Sequence, residues 1–267
     1  MHLTISRTDR YAVRIAILLL WAFLPCSGAS ALTPEEINTI QAYERVAPSV
    51  TNITTEACEP EYFYCAIPSV SGSGSGVVIR EDGIIVTNRH VVAGAKNIFI
   101  VLSDGRRLSA DVKASSTSED IAILKVDPGG KQLKAIALGD SKKLKVGDKV
   151  LAVGNPFGLG QTLTVGTVSM TGRTVKDGEK VLTDLIQTDA PINPGNSGGA
   201  LVNSDGELVG LCTAILSPNG ASVRIGFALP VNRVKEVVPG LMSSWPKYIG
   251  WVMAVMLVLW FLRRIYR

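Results

Sequence analysis

Four Asp-Gly dipeptides, each set between runs rich in β-formers, constrain this chain more than any other feature. Val77-Val78-Ile79-Arg80 and Ile84-Ile85-Val86-Thr87 flank Asp82-Gly83, and residues 97–102 and 107–112 flank Asp104-Gly105. Val175 and Val181 lie either side of Asp177-Gly178, and Ala200-Leu201-Val202 and Leu208-Val209-Gly210 flank Asp205-Gly206. Asp-Gly between such runs is the strongest short-range hairpin signal, because glycine accepts the left-handed backbone of a tight turn. Residues 121–126 and 165–170 add further strands. Many short strands without alternating long helices predict an all-β fold, a sandwich or barrels. Two helices are expected. Thr33-Pro34-Glu35-Glu36 has a cap, a proline at the first position and acids in the first turn. Residues 231–241 read as a short helix after the last strand.

The two ends of the chain differ from this body. Residues 1–31 carry a basic stretch, then an apolar run from Ile15 to Leu24, then Ala29-Ser30-Ala31, the small-x-small pattern before a signal-peptidase cut. A cleaved secretory signal ending near Ala31 is expected, with an uncleaved anchor as the alternative. Pro25 precedes Cys26 where a lipoprotein site needs a small residue. Near the other end, residues 249–262 are uncharged and apolar all round, flanked by Trp245, Tyr248, Trp251, Trp260 and Tyr266 and followed by Arg263 and Arg264. An aromatic belt and cytoplasmic arginines favour a transmembrane helix over 247–264, with 265–267 as a short cytoplasmic tail. A helix buried against the body is the alternative. Single-pass attachment to the cell membrane then puts residues 32–246 on the exported side. That body of roughly 215 residues is enough for two small closed barrels. The linker 127–143, rich in Gly, Lys and Asp, marks the boundary between halves. Ser71-Gly72-Ser73-Gly74-Ser75-Gly76 reads as a flexible loop tip feeding the first barrel.

The formal charge of +4 does not point to nucleic acid. Residues 1–31 hold three arginines against one aspartate, and 249–267 hold three arginines with no acid. The body keeps 21 basic and 22 acidic residues, scattered, so it offers no basic footprint for a phosphate backbone. An exported body permits disulfides. Cys58 and Cys65 lie close in a polar, turn-rich stretch and are expected to pair, whereas Cys212 sits in an apolar run and reads as a buried thiol. Asn52-Ile53-Thr54 is a glycosylation sequon, relevant only in a eukaryotic secretory pathway.

His90 is the only histidine outside the export segment, and it ends a strand in Thr87-Asn88-Arg89-His90-Val91-Val92. Pro194-Gly195-Asn196-Ser197-Gly198-Gly199 surrounds one serine with glycines, exposing its hydroxyl and letting a substrate backbone approach. The N–H groups of Gly195 and Ser197 can converge on one point as an oxyanion hole. Asp120 opens the apolar strand after Ser118-Glu119, where its carboxylate can face an imidazole and fix its tautomer. His and Asp in the first half and Ser in the second fit a site in a cleft between two barrels. One histidine in the body and no CxxC pair leave a metal site unsupported, and no cofactor is expected.

The motifs Thr87 to Val92, Asp120-Ile121-Ala122 and Gly195-Asn196-Ser197-Gly198-Gly199, in this order, resemble those of trypsin-like (chymotrypsin-fold) serine proteases. More narrowly they resemble the HtrA/Deg family of protein-quality-control proteases. Ala152-Val153-Gly154-Asn155-Pro156-Phe157-Gly158, Gln187-Thr188-Asp189-Ala190, Ile192-Asn193-Pro194 and Ile225-Gly226-Phe227-Ala228-Leu229-Pro230 match as well, so the likeness covers about residues 33–241. It implies two six-stranded antiparallel barrels with the site between them. It implies Ser197 as nucleophile, His90 as general base then acid, Asp120 as orienter, and the Gly195 and Ser197 amides as oxyanion hole. The reaction implied is peptide-bond hydrolysis of unfolded exported proteins through an acyl-enzyme, and the assembly a homotrimer. By the same likeness the specificity pocket is walled by Ile192, Thr213-Ala214-Ile215 and Ile225-Gly226-Phe227. Pro191 stands where an acid would select Lys or Arg, so cleavage after small or medium aliphatic residues is expected. Asn196 stands where cleaved zymogens keep a charged partner for a new N-terminus, so activation by cleavage is not expected. Residues 158–164 and 171–180 are instead the expected switching loops. Family members usually carry a C-terminal PDZ domain; only 28 residues follow Pro239 and they read as an anchor, so none is expected here. A non-catalytic chaperone or binding protein on the same fold is the alternative function.

Overall fold

The computed structural model describes residues 32–57, 69–155, 160–177, 180–193, 195–213 and 224–243. The export segment 1–31, the Cys58 and Cys65 pair and the expected span 247–264 lie outside the described residues. Among the described residues no helix is long and apolar enough to cross a membrane. Two compact units divide between Ile37 and Asn38, and every described strand belongs to the second.

Twelve strands occur among the described residues, and they close two antiparallel barrels. The first comprises β1 (Val50–Ala57), β2 (Ser69–Arg80), β3 (Ile84–Asn88), β4 (Asn97–Val101), β5 (Arg107–Ser116) and β6 (Ile121–Val126). Its strands are bonded around in the order β1-β2-β3-β6-β5-β4. The second comprises β7 (Lys149–Gly154), β8 (Thr162–Asp177), β9 (Lys180–Thr188), β10 (Ala200–Val202), β11 (Leu208–Thr213) and β12 (Gly226–Pro230), in the order β10-β11-β12-β9-β8-β7. Asp82-Gly83, Asp104-Gly105 and Asp205-Gly206 turn the chain between paired strands, and β8 and β9 pair down to Asp177 opposite Lys180.

Burial explains why several strands are apolar on both faces rather than alternating. Every residue of β3 is buried. Ile85 faces the interior of the first barrel with Ile53, Ile100 and Leu124. Its neighbours Ile84 and Val86 join a second layer with Leu151, Val153 and Leu211 of the other barrel. The second barrel fills its own interior with Val150, Ala152, Val209, Cys212 and Ala228. The barrels therefore share a hydrophobic layer as well as having one interior each.

Among the described residues three α-helices accompany the strands: α1 (Pro34–Val46), α2 (Arg89–Val92) and α3 (Val231–Ser243). A reciprocal cap opens α1. The Thr33 hydroxyl accepts the Glu36 N–H at 3.2 Å, and the Glu36 carboxylate accepts the Thr33 N–H at 2.6 Å. The Thr33 N–H, together with the Thr33 hydroxyl donating to the same carboxylate at 2.8 Å, holds the Glu36 carboxyl below its ordinary range. Val231, Val234 and Val238 of α3 recur at helical spacing and pack into the shared layer. The start of α3 is tied to the inter-barrel connection, where Asn232 Nδ2 donates to Asp140 Oδ1 at 2.8 Å.

Three expectations change. The Ser-Gly run is not a loop tip: it is the middle of β2, paired with β1 from Gly72 to Gly76, Thr51 opposite Gly76 and Ile53 opposite Gly74. Glycine is needed there for space. A Cβ on Gly76 would lie 2.8 Å from Ile85 Cγ2 and 3.0 Å from Ile53 Cδ1, inside the barrel. Residues 162–164 and 171–177, expected in switching loops, are strand within β8, bonded to β7 and β9. Finally, Asn52 of the sequon is 1% exposed, and its amide donates to the Asn155 carbonyl at 2.8 Å. A buried amide already bonded to the chain is no glycan acceptor.

Candidate active site

His90 lies in the single turn of α2, immediately after β3. The first N–H groups of a helical turn have no partner inside it. Asp120, just before β6, supplies them from outside. Its carbonyl accepts the Arg89 N–H at 3.0 Å and its Oδ1 accepts the His90 N–H at 3.2 Å. Asn88 Nδ2 also donates to the Asp120 carbonyl, at 3.2 Å. Asp120 reaches both ways because its backbone adopts a left-handed φ of 53°, a region that Asp tolerates better than most residues. The second carboxylate oxygen then meets the ring, with Asp120 Oδ2 2.6 Å from His90 Nδ1. A carboxylate only accepts, so Nδ1 carries the proton and the lone pair is left on Nε2. The Asp120 side chain is 4% exposed while that of His90 is 38% exposed. The carboxylate is sheltered and the imidazole reaches the surface. Beside Asp120, Glu119 pairs with Arg233 of α3 at 2.8 Å.

Ser197 sits in the glycine-rich turn before β10 and is 6% exposed. The Asn196 N–H donates to the Asn193 carbonyl at 3.0 Å, closing a turn in which Gly195 takes a φ of 96°. The Gly199 N–H donates to the Asn196 carbonyl at 2.8 Å, and the Gly198 N–H to the Cys212 carbonyl of β11 at 2.7 Å. Gly198, at a φ of 78°, admits no side chain, since a Cβ would fall 2.1 Å from Thr87 Oγ1 and 2.3 Å from the Ser75 carbonyl. Asn196 is 1% exposed, and its Oδ1 has no partner among the described residues.

Strand β2 brings the two halves together. A Cβ on Gly74 would lie 2.6 Å from Val91 Cγ1, next to His90, and 3.3 Å from the Ser197 carbonyl. The following residue, Ser75, is fully buried and bonds to both sides of the Ser197 turn. Its N–H donates to the Ser197 carbonyl at 2.8 Å, and its hydroxyl donates to the Gly195 carbonyl at 2.6 Å. The same hydroxyl accepts the Asn155 N–H at 2.8 Å, and the Ser75 carbonyl accepts Thr87 Oγ1 at 2.7 Å. Sequence reasoning missed Ser75, Asn155 and Asn52. The available signal was a serine between glycines directly ahead of an apolar strand, which composition alone makes look like linker.

The pocket residues divide. Gly226 and Ile192 touch, since a Cβ on Gly226 would lie 2.5 Å from Ile192 Cγ1. Thr213 is paired with Phe227 across β11 and β12. Ile192 belongs to the second barrel's interior cluster, whereas Phe227 packs into the shared layer with Leu185 and Leu229. Ile225 is 48% exposed. Ala214 and Ile215 lie outside the described residues. Cys212 is a fully buried free thiol, and burial pushes it up to about 12, so it is no nucleophile near neutral pH. Among the described residues no group of acidic, Cys or His side chains could hold a metal ion.

Comparison with known proteins agrees with this geometry. The family described as a trypsin-like peptidase domain matches residues 74–211. Protease Do-like 1, chloroplastic, of Arabidopsis thaliana is 42% identical over 218 residues, covering 80% of this chain and 50% of that protein. The periplasmic pH-dependent serine endoprotease DegQ of Escherichia coli is 45% identical over 216 residues, 75% of this chain and 47% of that protein. The chain thus spans about half the length of these curated relatives. Among solved structures, the HtrA-type protease AlgW with a tripeptide superimposes with a TM-score of 0.68 at 44% identity, covering 76% of this chain and 63% of that one.

Proposed function

The chain belongs to the HtrA/Deg family of trypsin-like peptidases, and from that premise we propose that it is a serine endopeptidase acting through Ser197, His90 and Asp120. The observation that carries the reading is the 2.6 Å contact between Asp120 Oδ2 and His90 Nδ1. With Nδ1–H held by the carboxylate, Nε2 is the basic atom and takes the proton as Ser197 Oγ attacks the scissile carbonyl. Asp120 stabilises the imidazolium that results. The carbonyl oxygen becomes an anion facing the Gly195 and Ser197 amides, donors of a kind whose single loss costs about 10²–10³ in rate. The imidazolium then protonates the leaving amine. Water, activated by the same Nε2, hydrolyses the acyl-enzyme and returns Ser197 to its start.

Small or medium aliphatic residues are the proposed P1 class. Pro191 offers no carboxylate, and Ile192 lies against Gly226. A peptide panel tests this: cleavage after Val, Ala, Ile or Leu is expected, and robust cleavage after Arg alone overturns it. Activation by chain cleavage is not proposed, because buried Asn196 is neutral and gives a new N-terminus nothing to pair with. The substrates proposed are unfolded exported proteins. The apolar run 249–262 with the arginines that follow it supports a membrane tether, and a homotrimer is carried over with the family.

One experiment addresses nucleophile and tether together. Carbonate-washed membranes from cells expressing the chain are treated with a fluorophosphonate probe. Labelling of the membrane fraction is expected, and Ser197→Ala should abolish both labelling and casein degradation. A Ser197→Ala chain that degrades casein fully would defeat the peptidase reading in favour of a separate activity. Label found only in the wash would defeat the tether.

A further inference from the structure

The nucleophile turn belongs to the second barrel, yet the bond on its Gly195 carbonyl comes from the first. We propose that Ser75 is a positioning residue for the oxyanion hole: its hydroxyl, donating 2.6 Å to the Gly195 carbonyl, fixes the orientation in which the turn presents its amides. The proposal rests on the peptidase reading above and adds a residue to it.

The argument is an accounting of peptide planes around Ser197. The Gly195–Asn196 peptide is held at its oxygen by Ser75 Oγ and at its N–H by the Asn193 carbonyl, 3.0 Å away. The Asn196–Ser197 peptide is held at its oxygen by the Gly199 N–H. The Ser197–Gly198 peptide is held at its oxygen by the Ser75 N–H and at its N–H by the Cys212 carbonyl. Ser75 thus anchors two of the three planes. Glycine at 195 gives the first of them the most freedom to rotate, since its backbone is confined by no Cβ. A rotation there would turn the Gly195–Asn196 carbonyl toward the reacting oxygen and spoil the hole. The hydroxyl is itself fixed, because it accepts the Asn155 N–H at 2.8 Å and so has one direction left in which to donate. Asn155 is fixed in turn by Asn52, whose amide donates to its carbonyl. A buried hydroxyl with one donor and one acceptor contact, both on backbone, is specified by position more than by the need to fill space.

A residue that supports the hole without touching substrate should affect the transition state and not ground-state binding. The test compares the intact chain with Ser75→Ala in amide hydrolysis and in affinity for a peptide aldehyde ending in valine. The aldehyde's adduct with Ser197 places an oxygen anion in the same hole. Active-site titration counts the folded, reactive fraction in each sample. We expect kcat to fall at least tenfold, aldehyde affinity to weaken in parallel, and KM to stay within about twofold. A purely structural role would lower the titrated fraction and leave kcat per titrated site and aldehyde affinity unchanged, which overturns the proposal. Should the alanine variant not yield folded protein, Ser75→Cys keeps a weaker donor at the same point, and the same pair of readouts decides with a smaller expected loss. If the intact chain neither labels with fluorophosphonate nor turns over peptide, the peptidase reading fails, and that outcome is distinguishable from failure of Ser75 alone.

Discussion

At Asp120 one residue performs three tasks from one backbone conformation. Its left-handed φ of 53° lets the carbonyl and one carboxylate oxygen satisfy the first amides of the His90 turn while the other oxygen holds the ring. The local fold and the proposed catalytic role therefore depend on the same conformation at this position. Cys212 behaves oppositely, as a thiol buried to fill the second barrel. Burial pushes it up to about 12, whereas an unfolded thiol titrates near 8.5. The folded state keeps a proton that the unfolded chain gives up, so the contribution is complete below about pH 8.5 and is lost as pH rises towards 12. Urea midpoints measured at about pH 8 and about pH 10.5 should fall more for the natural chain than for Cys212→Ala. Equal falls would show that the thiol plays no part. In the folded chain Cys212 should also resist a thiol reagent at about pH 8 until denaturant is added.

Among the elements, β2 shows how a composition typical of linkers makes a strand. Gly76 lines the first barrel where Ile85 and Ile53 leave no room for a methyl group, Gly74 is crowded by Val91, and the serines of β2 bond across to the neighbouring strand and barrel. Gly76→Ala separates a strand from a linker. In a free linker the change would be neutral or slightly stabilising through the unfolded chain. In β2, with Ile85 Cγ2 2.8 Å away, overpacking should cost about 1–3 kcal/mol, read as a lower denaturation midpoint. An unchanged midpoint would contradict the strand. The long hairpin of β8 and β9 tells a similar story. Thr171 to Lys176 carry no buried side chain, yet this part of β8 pairs with β9 through several register shifts. Such irregular pairing leaves a hydrophobic pattern too weak to recognise from the residues alone.

For the second compact unit as a whole, the shared layer matters more than any polar link between barrels. Val50, Val77, Ile84, Val86, Ile121 and Ile123 of the first barrel are buried in one cluster with residues of the second barrel, of α3 and of the end of α1. A fragment ending near residue 148 would expose that face. It is expected to bind a hydrophobic dye and show no cooperative melting, whereas the whole body should unfold in one transition. A fragment with a sharp melt of its own would show the barrels to be independent. The Glu119–Arg233 pair, about a quarter exposed on each side, should add no more than about 1 kcal/mol. Taken alone, the sequence determined the all-β class, the hairpin turns and the capped first helix, and it singled out His90, Asp120 and Ser197 as candidates. Each of these rests on local chemistry: glycine's freedom at turns, a side-chain cap, and residue types that only certain reactions need. Tertiary structure alone decided that Ser75 ties the Ser197 turn to the opposite barrel, that Asn52 is buried and that Phe227 packs into the shared layer. Those outcomes depend on which strands close the barrels and which faces meet, and contacts more than a hundred residues apart leave no local pattern in the chain.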